Sequence, residues 1–205
     1  MKRIQLVLFS LAIFSLVISP GSCTKKQANA GSEPAAAAAK PSDADAVKRG
    51  EYLVSVVGSC NDCHTPWKMG EHGPEPDMTR MLSGSPEGMV LKAPKLEMPW
   101  MAAGAATMTA WAGPWGISYT HNLTPDSTGL GKWDETTFKL ALRSGKHIGN
   151  GRPIMPPMPW QTIGKMTDDD LHAVWMYLRS IPPVKNTPPE YQPPVGAPTA
   201  MSGHK

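Results

Sequence analysis

Apolar residues return at helical spacing in three stretches of this chain, and those stretches predict its helices. In the first, Ser42 or Asp43 caps a helix running to about Val57, with Ala46, Gly50, Leu53 and Val57 on one face and Gly58 as the stop. In the second, Asp134 caps a helix through Arg143 whose apolar face is Phe138, Ala141 and Leu142, and Gly145 ends it. The third starts from a Thr167 cap with Asp170 in capping-box register. It carries Leu171, Val174 and Leu178 on one stripe with Trp175 beside it, and stops at Pro182-Pro183. Asp168, Asp169 and Asp170 suit its positive N-terminal end and read as helix starters, not catalysts. Gly50 in mid-helix costs about 1 kcal/mol against alanine, which a crossing helix would explain.

Between the first two helices the period is lost. Residues 65–133 carry Pro66, Pro74, Pro76, Pro86, Pro94, Pro99 and Pro114, and loops of that length tend to be functional or to wrap something. Around residues 115–126 the chain reads as a short extended piece and a turn, an ordered loop with polar side chains. Trp100, Trp111, Trp115 and Trp133 offer flat apolar area with an indole N–H as a handle, or else fill core under the loop. Met69, Met78, Met81, Met89, Met98, Met101 and Met108 could form a copper-binding thioether patch. With no cysteine and no tight His-Met cluster beside them, adaptable packing is the better reading. Residues 149–160 cannot be helical, and their prolines make them stiff.

The ends read differently. Residues 1–22, with Lys2, Arg3 and the apolar run Ile4 to Ile18, resemble an export signal, and Cys23 after Gly21-Ser22 sits where a bacterial lipoprotein is lipidated. Residues 23–41 have the composition of a flexible linker, and the Pro-rich tail, mobile from Asn186, is set off as residues 190–205. The domain between them is residues 42–189, on the periplasmic side of a membrane. A formal charge of +3 falls to +1 from Cys23 onward, which is no nucleic-acid footprint.

Cys60-Asn61-Asp62-Cys63-His64 carries the chemistry. Two thiols two residues apart can each form a thioether to a vinyl group of one porphyrin, and the imidazole next to them can bind its iron. The expected cofactor is therefore one covalent haem c. A structural zinc site needs four ligands, and only Cys23 remains elsewhere. A thioredoxin-like pair would follow a strand, and a disulfide across two residues leaves the histidine unexplained. For the opposite face of the iron, Met158 and Met155 are candidates. Met158, with prolines on both sides, is the more rigidly held. His121 or His147 would give a bis-histidine site instead.

The haem motif, Asn122-Leu123-Thr124-Pro125-Asp126 with Thr128-Gly129-Leu130-Gly131-Lys132-Trp133, the loop Pro157-Met158-Pro159-Trp160, and the ending Asp169-Asp170-Leu171 to Pro182-Pro183-Val184 resemble class I c-type cytochromes. The likeness is to modules of the cytochrome c subunits of membrane-bound bacterial alcohol and gluconate dehydrogenases, over about residues 46–189. Those subunits typically carry three haems, and this chain has one attachment motif. The resemblance implies an all-α cytochrome c fold with crossing first and last helices, Gly50 lying near Trp175 or Tyr177, and a long irregular insertion rich in Pro, Trp and Met. It implies His64 as proximal and Met158 as distal ligand. It also implies a periplasmic electron carrier, not an enzyme itself, between a dehydrogenase or quinol-oxidising complex and an oxidase or reductase. The competing reading is a haem enzyme or ligand sensor with an open distal site, against which the stiff Met158 loop stands.

Overall fold

A computed structural model describes residues 42–194; the expected export signal, Cys23, the expected linker and the end of the tail lie outside them. Helix α1 (Asp43–Tyr52) is capped by Ser42, whose side chain accepts the Asp45 N–H. Gly50 is where α1 meets helix α5 (Asp168–Ser180): a Cβ there would strike the Ala173 carbonyl and lie 2.7 Å from Tyr177 Cβ. The Arg49 guanidinium donates to Asp170 at 3.0 Å across the same crossing. Asp170 thus joins two helices, while its backbone N–H bonds the Thr167 cap. Helix α3 (Glu135–Ser144), capped by Asp134, buries Phe138, Ala141 and Leu142 in the same core as Leu53, Val54, Leu171, Trp175 and Leu178.

Beyond Tyr52 the helix widens into a π-helical turn, Leu53–Val57. The extra residue per turn changes the direction in which the next side chains point. Val54 is buried and Val57 exposed, although uninterrupted α spacing would put Val57 inward.

The all-α expectation does not hold. Among the described residues, five helices, the remaining two being α2 (Cys60–His64) and α4 (Trp160–Ile163), stand with two small antiparallel sheets. Strands β1 (Trp67–Gly70) and β2 (Gly73–Pro76) form a hairpin. Strands β3 (Ala103–Gly104), β4 (Ala110–Gly113) and β5 (Gly116–Tyr119) form a three-stranded sheet in that order. The physical reason is a period of two too short to stand out beside helical periods. Ala110 and Ala112 face inward opposite Tyr119 and Ile117, making a second, smaller core. The long segment is therefore partly sheet, and part of its apolar content faces solvent: Met98 is 90% and Trp100 72% exposed.

The start of the tail also differs from a mobile one. Asn186 is 2% exposed, the Tyr191 hydroxyl donates to the Trp115 carbonyl, and Gln192 exchanges backbone hydrogen bonds with Ile117. Residues 186–192 pack on the domain because β5 has a free edge whose backbone groups need partners.

Candidate functional site

Helix α2 presents Cys60, Cys63 and His64 on one short turn. Gly58 N–H closes on the Leu53 carbonyl at 2.7 Å, ending the π-helical turn, and Ser59 takes a left-handed backbone (φ 45°) that redirects the chain. Both cysteines are free thiols, and Cys60 packs against the main core. Burial pushes the Cys60 thiol up to about 11, with the backbone amide opposing and Cys63 and Asp62 adding to the rise. Cys63 is raised as well, by burial and then by Asp62. These are protonated thiols, poor as metal thiolates. Among the described residues no group of three His, Cys, Asp or Glu gathers as a metal cluster.

His64 is buried, and its Nδ1 lies 2.8 Å from the His121 carbonyl oxygen. A carbonyl only accepts, so Nδ1 carries the proton and Nε2 keeps the lone pair. Desolvation lowers the His64 pKa, with the His121 carbonyl opposing, so the ring is neutral. A neutral imidazole with Nε2 available, one residue after two unpaired thiols, is a donor set that fits covalent haem with His64 on the iron. The backbone is held too: Gly84 N–H donates to the His64 carbonyl at 2.7 Å, and Thr65 Oγ1 accepts from Leu82 N–H at 2.9 Å.

The Met158 loop lines an open pocket of its own. Residues Pro153–Gln161 line a cavity of about 440 Å³, and both Met155 and Met158 border it. Met158 packs against the main core, as Cys60 does. The loop is fixed from outside by Ser118, whose hydroxyl donates to the Pro156 carbonyl, and by Ile154 N–H on the Gly145 carbonyl at 2.8 Å. The structure thus gathers Cys60, Cys63 and His64 on one turn and sets Cys60 and Met158 against one core.

The two other histidines sit together. His121 and His147 stack with ring centroids 4.9 Å apart, and Trp133 meets His147 edge-on at 5.3 Å. Arg152 Nη2 lies 3.2 Å from His121 Nε2. Since a guanidinium only donates, that lone pair of His121 is committed to Arg152. The His121 ring reaches solvent, yet protein crowds it enough that burial first, then His147 and Arg152, hold its pKa down to about 3.

Sequence reasoning missed the carbonyl of His121, which orients His64, and it missed Gly84 and Asn186. The Asn122-to-Asp126 string was a usable signal, because Asn and Thr at a turn hydrogen-bond their own backbone. Asn186 gave none. Nor do all the methionines of the long segment serve as filler: Met69, Met78, Met98 and Met101 are each more than half exposed.

No protein-family model matches the chain. It is 31% identical over 144 residues to the cytochrome c subunit of the quinone-dependent alcohol dehydrogenase of Gluconacetobacter polyoxogenes, a match covering 67% of this chain and 25% of that protein. The cytochrome c subunit of the gluconate 2-dehydrogenase of Pantoea cypripedii is 31% identical over 140 residues, 67% of this chain and 24% of the relative. The fructose dehydrogenase cytochrome subunit of Gluconobacter japonicus is 26% identical over 171 residues, 80% of this chain and 28% of the relative. The chain spans about a quarter of the length of these relatives. Over most of its length, then, the chain is a homologue of the cytochrome c subunits of bacterial alcohol, fructose and gluconate dehydrogenases.

Proposed function

We propose that this domain binds one haem c and passes single electrons between redox proteins on the periplasmic side of a membrane. The reading is supported most by one observation: His64 donates from Nδ1 to a fixed carbonyl, which turns Nε2 into a ligand beside two protonated thiols. A bound haem would supply a one-electron couple at its iron. The chain's own residues do the rest. Cys60 and Cys63 would hold the ring, each adding its S–H across one vinyl group with no change in oxidation state, and His64 would offer the iron a neutral nitrogen and Met158 a neutral sulfur, a pairing that favours the reduced form. The main core, with Cys60 and Met158 against it, excludes water from that side.

The relatives are subunits of dehydrogenases, so a dehydrogenase is the partner class proposed as electron donor, and an oxidase or reductase as acceptor. The export signal and Cys23 would place the domain outside the cytoplasm, tethered by residues 23–41.

Optical spectra of the purified protein test the reading. We expect haem that stays with the polypeptide after acid–acetone extraction, and a weak near-infrared charge-transfer band in the ferric form that Met158→Ala removes and Met155→Ala leaves. Extractable haem would overturn the attachment, and a band surviving Met158→Ala would overturn the distal ligand.

A further inference from the structure

We propose that Asn186, on the chain beyond α5, is a positioning residue for His64, acting through the turn Ser83-Gly84-Ser85. This inference rests on the proposal that the domain binds haem through His64. The turn touches His64 once directly and once through His121. Gly84 N–H donates to the His64 backbone carbonyl, and the Gly84 α-carbon is packed against the carbonyl of His121. A Cβ on Gly84 would lie 2.6 Å from the His121 carbonyl carbon and 2.7 Å from its oxygen, the atom that accepts from the His64 ring. With φ at +78°, the position also favours glycine.

Asn186 holds this turn on both flanks. Its Nδ2 donates to the Ser83 carbonyl at 2.7 Å and to the Ser85 carbonyl at 2.8 Å, spanning Gly84 like a staple. Its Oδ1 accepts from Arg80 Nη2 at 3.0 Å and from Glu87 N–H at 2.9 Å. Every hydrogen-bonding position of that amide is filled. The backbone of Asn186 is fixed in turn: its N–H donates to Thr128 Oγ1 at 3.0 Å, and its carbonyl accepts from Asn122 Nδ2 at 3.2 Å. Asn122 is the residue after His121, so one buried network sets both the turn and the carbonyl to which His64 donates. Ser85 completes it, donating N–H to the Thr120 carbonyl and accepting Thr120 N–H at its hydroxyl.

The chemical consequence is electronic. A short, fixed hydrogen bond from Nδ1–H makes the imidazole a stronger donor through Nε2, which favours ferric iron. Releasing the turn lets the His121 carbonyl drift, weakens that bond and raises the reduction potential.

The test uses the haem-loaded full chain. Asn186→Asp keeps the acceptors for Arg80 and Glu87 and turns the two donors into acceptors facing carbonyls. Arg80→Gln is a milder variant that leaves the amide in place. Thr167→Ala, at the N-cap of α5, is the control for a plain loss of stability. The measurements are the midpoint potential and the spread of haem-methyl proton resonances in the ferric form, which tracks axial-ligand orientation. We expect a higher potential and an altered spread in Asn186→Asp, the same direction with smaller size in Arg80→Gln, and neither change in Thr167→Ala. Asn186→Asp or Arg80→Gln less stable but unshifted in both readouts would overturn the positioning role. So would equal shifts in Thr167→Ala. A parent protein without covalent haem would overturn the haem reading as well, and that outcome is seen before any variant is made.

Discussion

Leu53, Val54, Leu171 and Leu178 fill the main core with hydrocarbon, whereas Thr65, Ser83, Ser85, Asn122, Thr124 and Asn186 fill a second buried region, next to His64, with amides and hydroxyls. The two regions are equally dry, since no member of either set is more than 3% exposed. What differs is the kind of change each tolerates. Hydrocarbon contacts have no direction, so a core accepts any residue of similar volume with small loss. A buried amide is held by its partners' positions, and removing it strands them. One region fixes where the helices are; the other fixes how one ring is aimed.

Substitutions in each region sharpen the contrast. The largest loss is expected for Leu171→Ala, about 2–5 kcal/mol by chemical denaturation, because the site is completely enclosed and collapses only in part. Leu171→Met should recover most of that, which is what a non-directional core predicts. Next comes Asn122→Leu, similar in shape. It strands the Thr124 N–H and the Asn186 carbonyl and should cost about 2 kcal/mol. If it proved as harmless as Leu171→Met, the contrast between the regions would be wrong. Gly84→Ala ranks third, at about 1–2 kcal/mol, because its methyl meets the Thr120 and His121 carbonyls and its φ is positive. Thermal unfolding should place Thr167→Ala lower, at about 1 kcal/mol for a lost helix cap.

The smallest effect is expected from acid. Asp126 and Asp134 are held below the ordinary carboxyl value, Asp126 first by the Thr128 hydroxyl and Asp134 first by the Thr137 N–H. A depressed carboxyl contributes stability that is present above its unfolded value of about 4 and lost as pH falls through the folded one. Urea midpoints should therefore decline below about pH 4, and Asp134→Asn should flatten that decline.

The hydrocarbon region was legible in the sequence because burial repeats every three or four residues. Phe138, Ala141 and Leu142, and the stripe Leu171, Val174 and Leu178, are buried where the pattern puts them. The pattern went astray at Val57, where a π-helical turn breaks the period, and between residues 65 and 133, where strands of two to four residues are too short to show one. At the site, Cys60, Cys63 and His64 stand out by spacing alone. The polar region was illegible for a different reason: its bonds join residues far apart. The link from Asn186 to Ser83 crosses 103 positions, and nothing local to either marks it.

That separation also sets an order in time. In a chain made from its N-terminus, Cys60, Cys63 and His64 are complete before Asn186 is added. Contacts between such distant residues are slow to form, because the loop between them must close first. The strap over Gly84 is thus among the last pieces to arrive. Until it does, the turn Ser83-Gly84-Ser85 lacks the bonds that hold it beside the His121 carbonyl, and its arrival fixes the aim of the His64 ring.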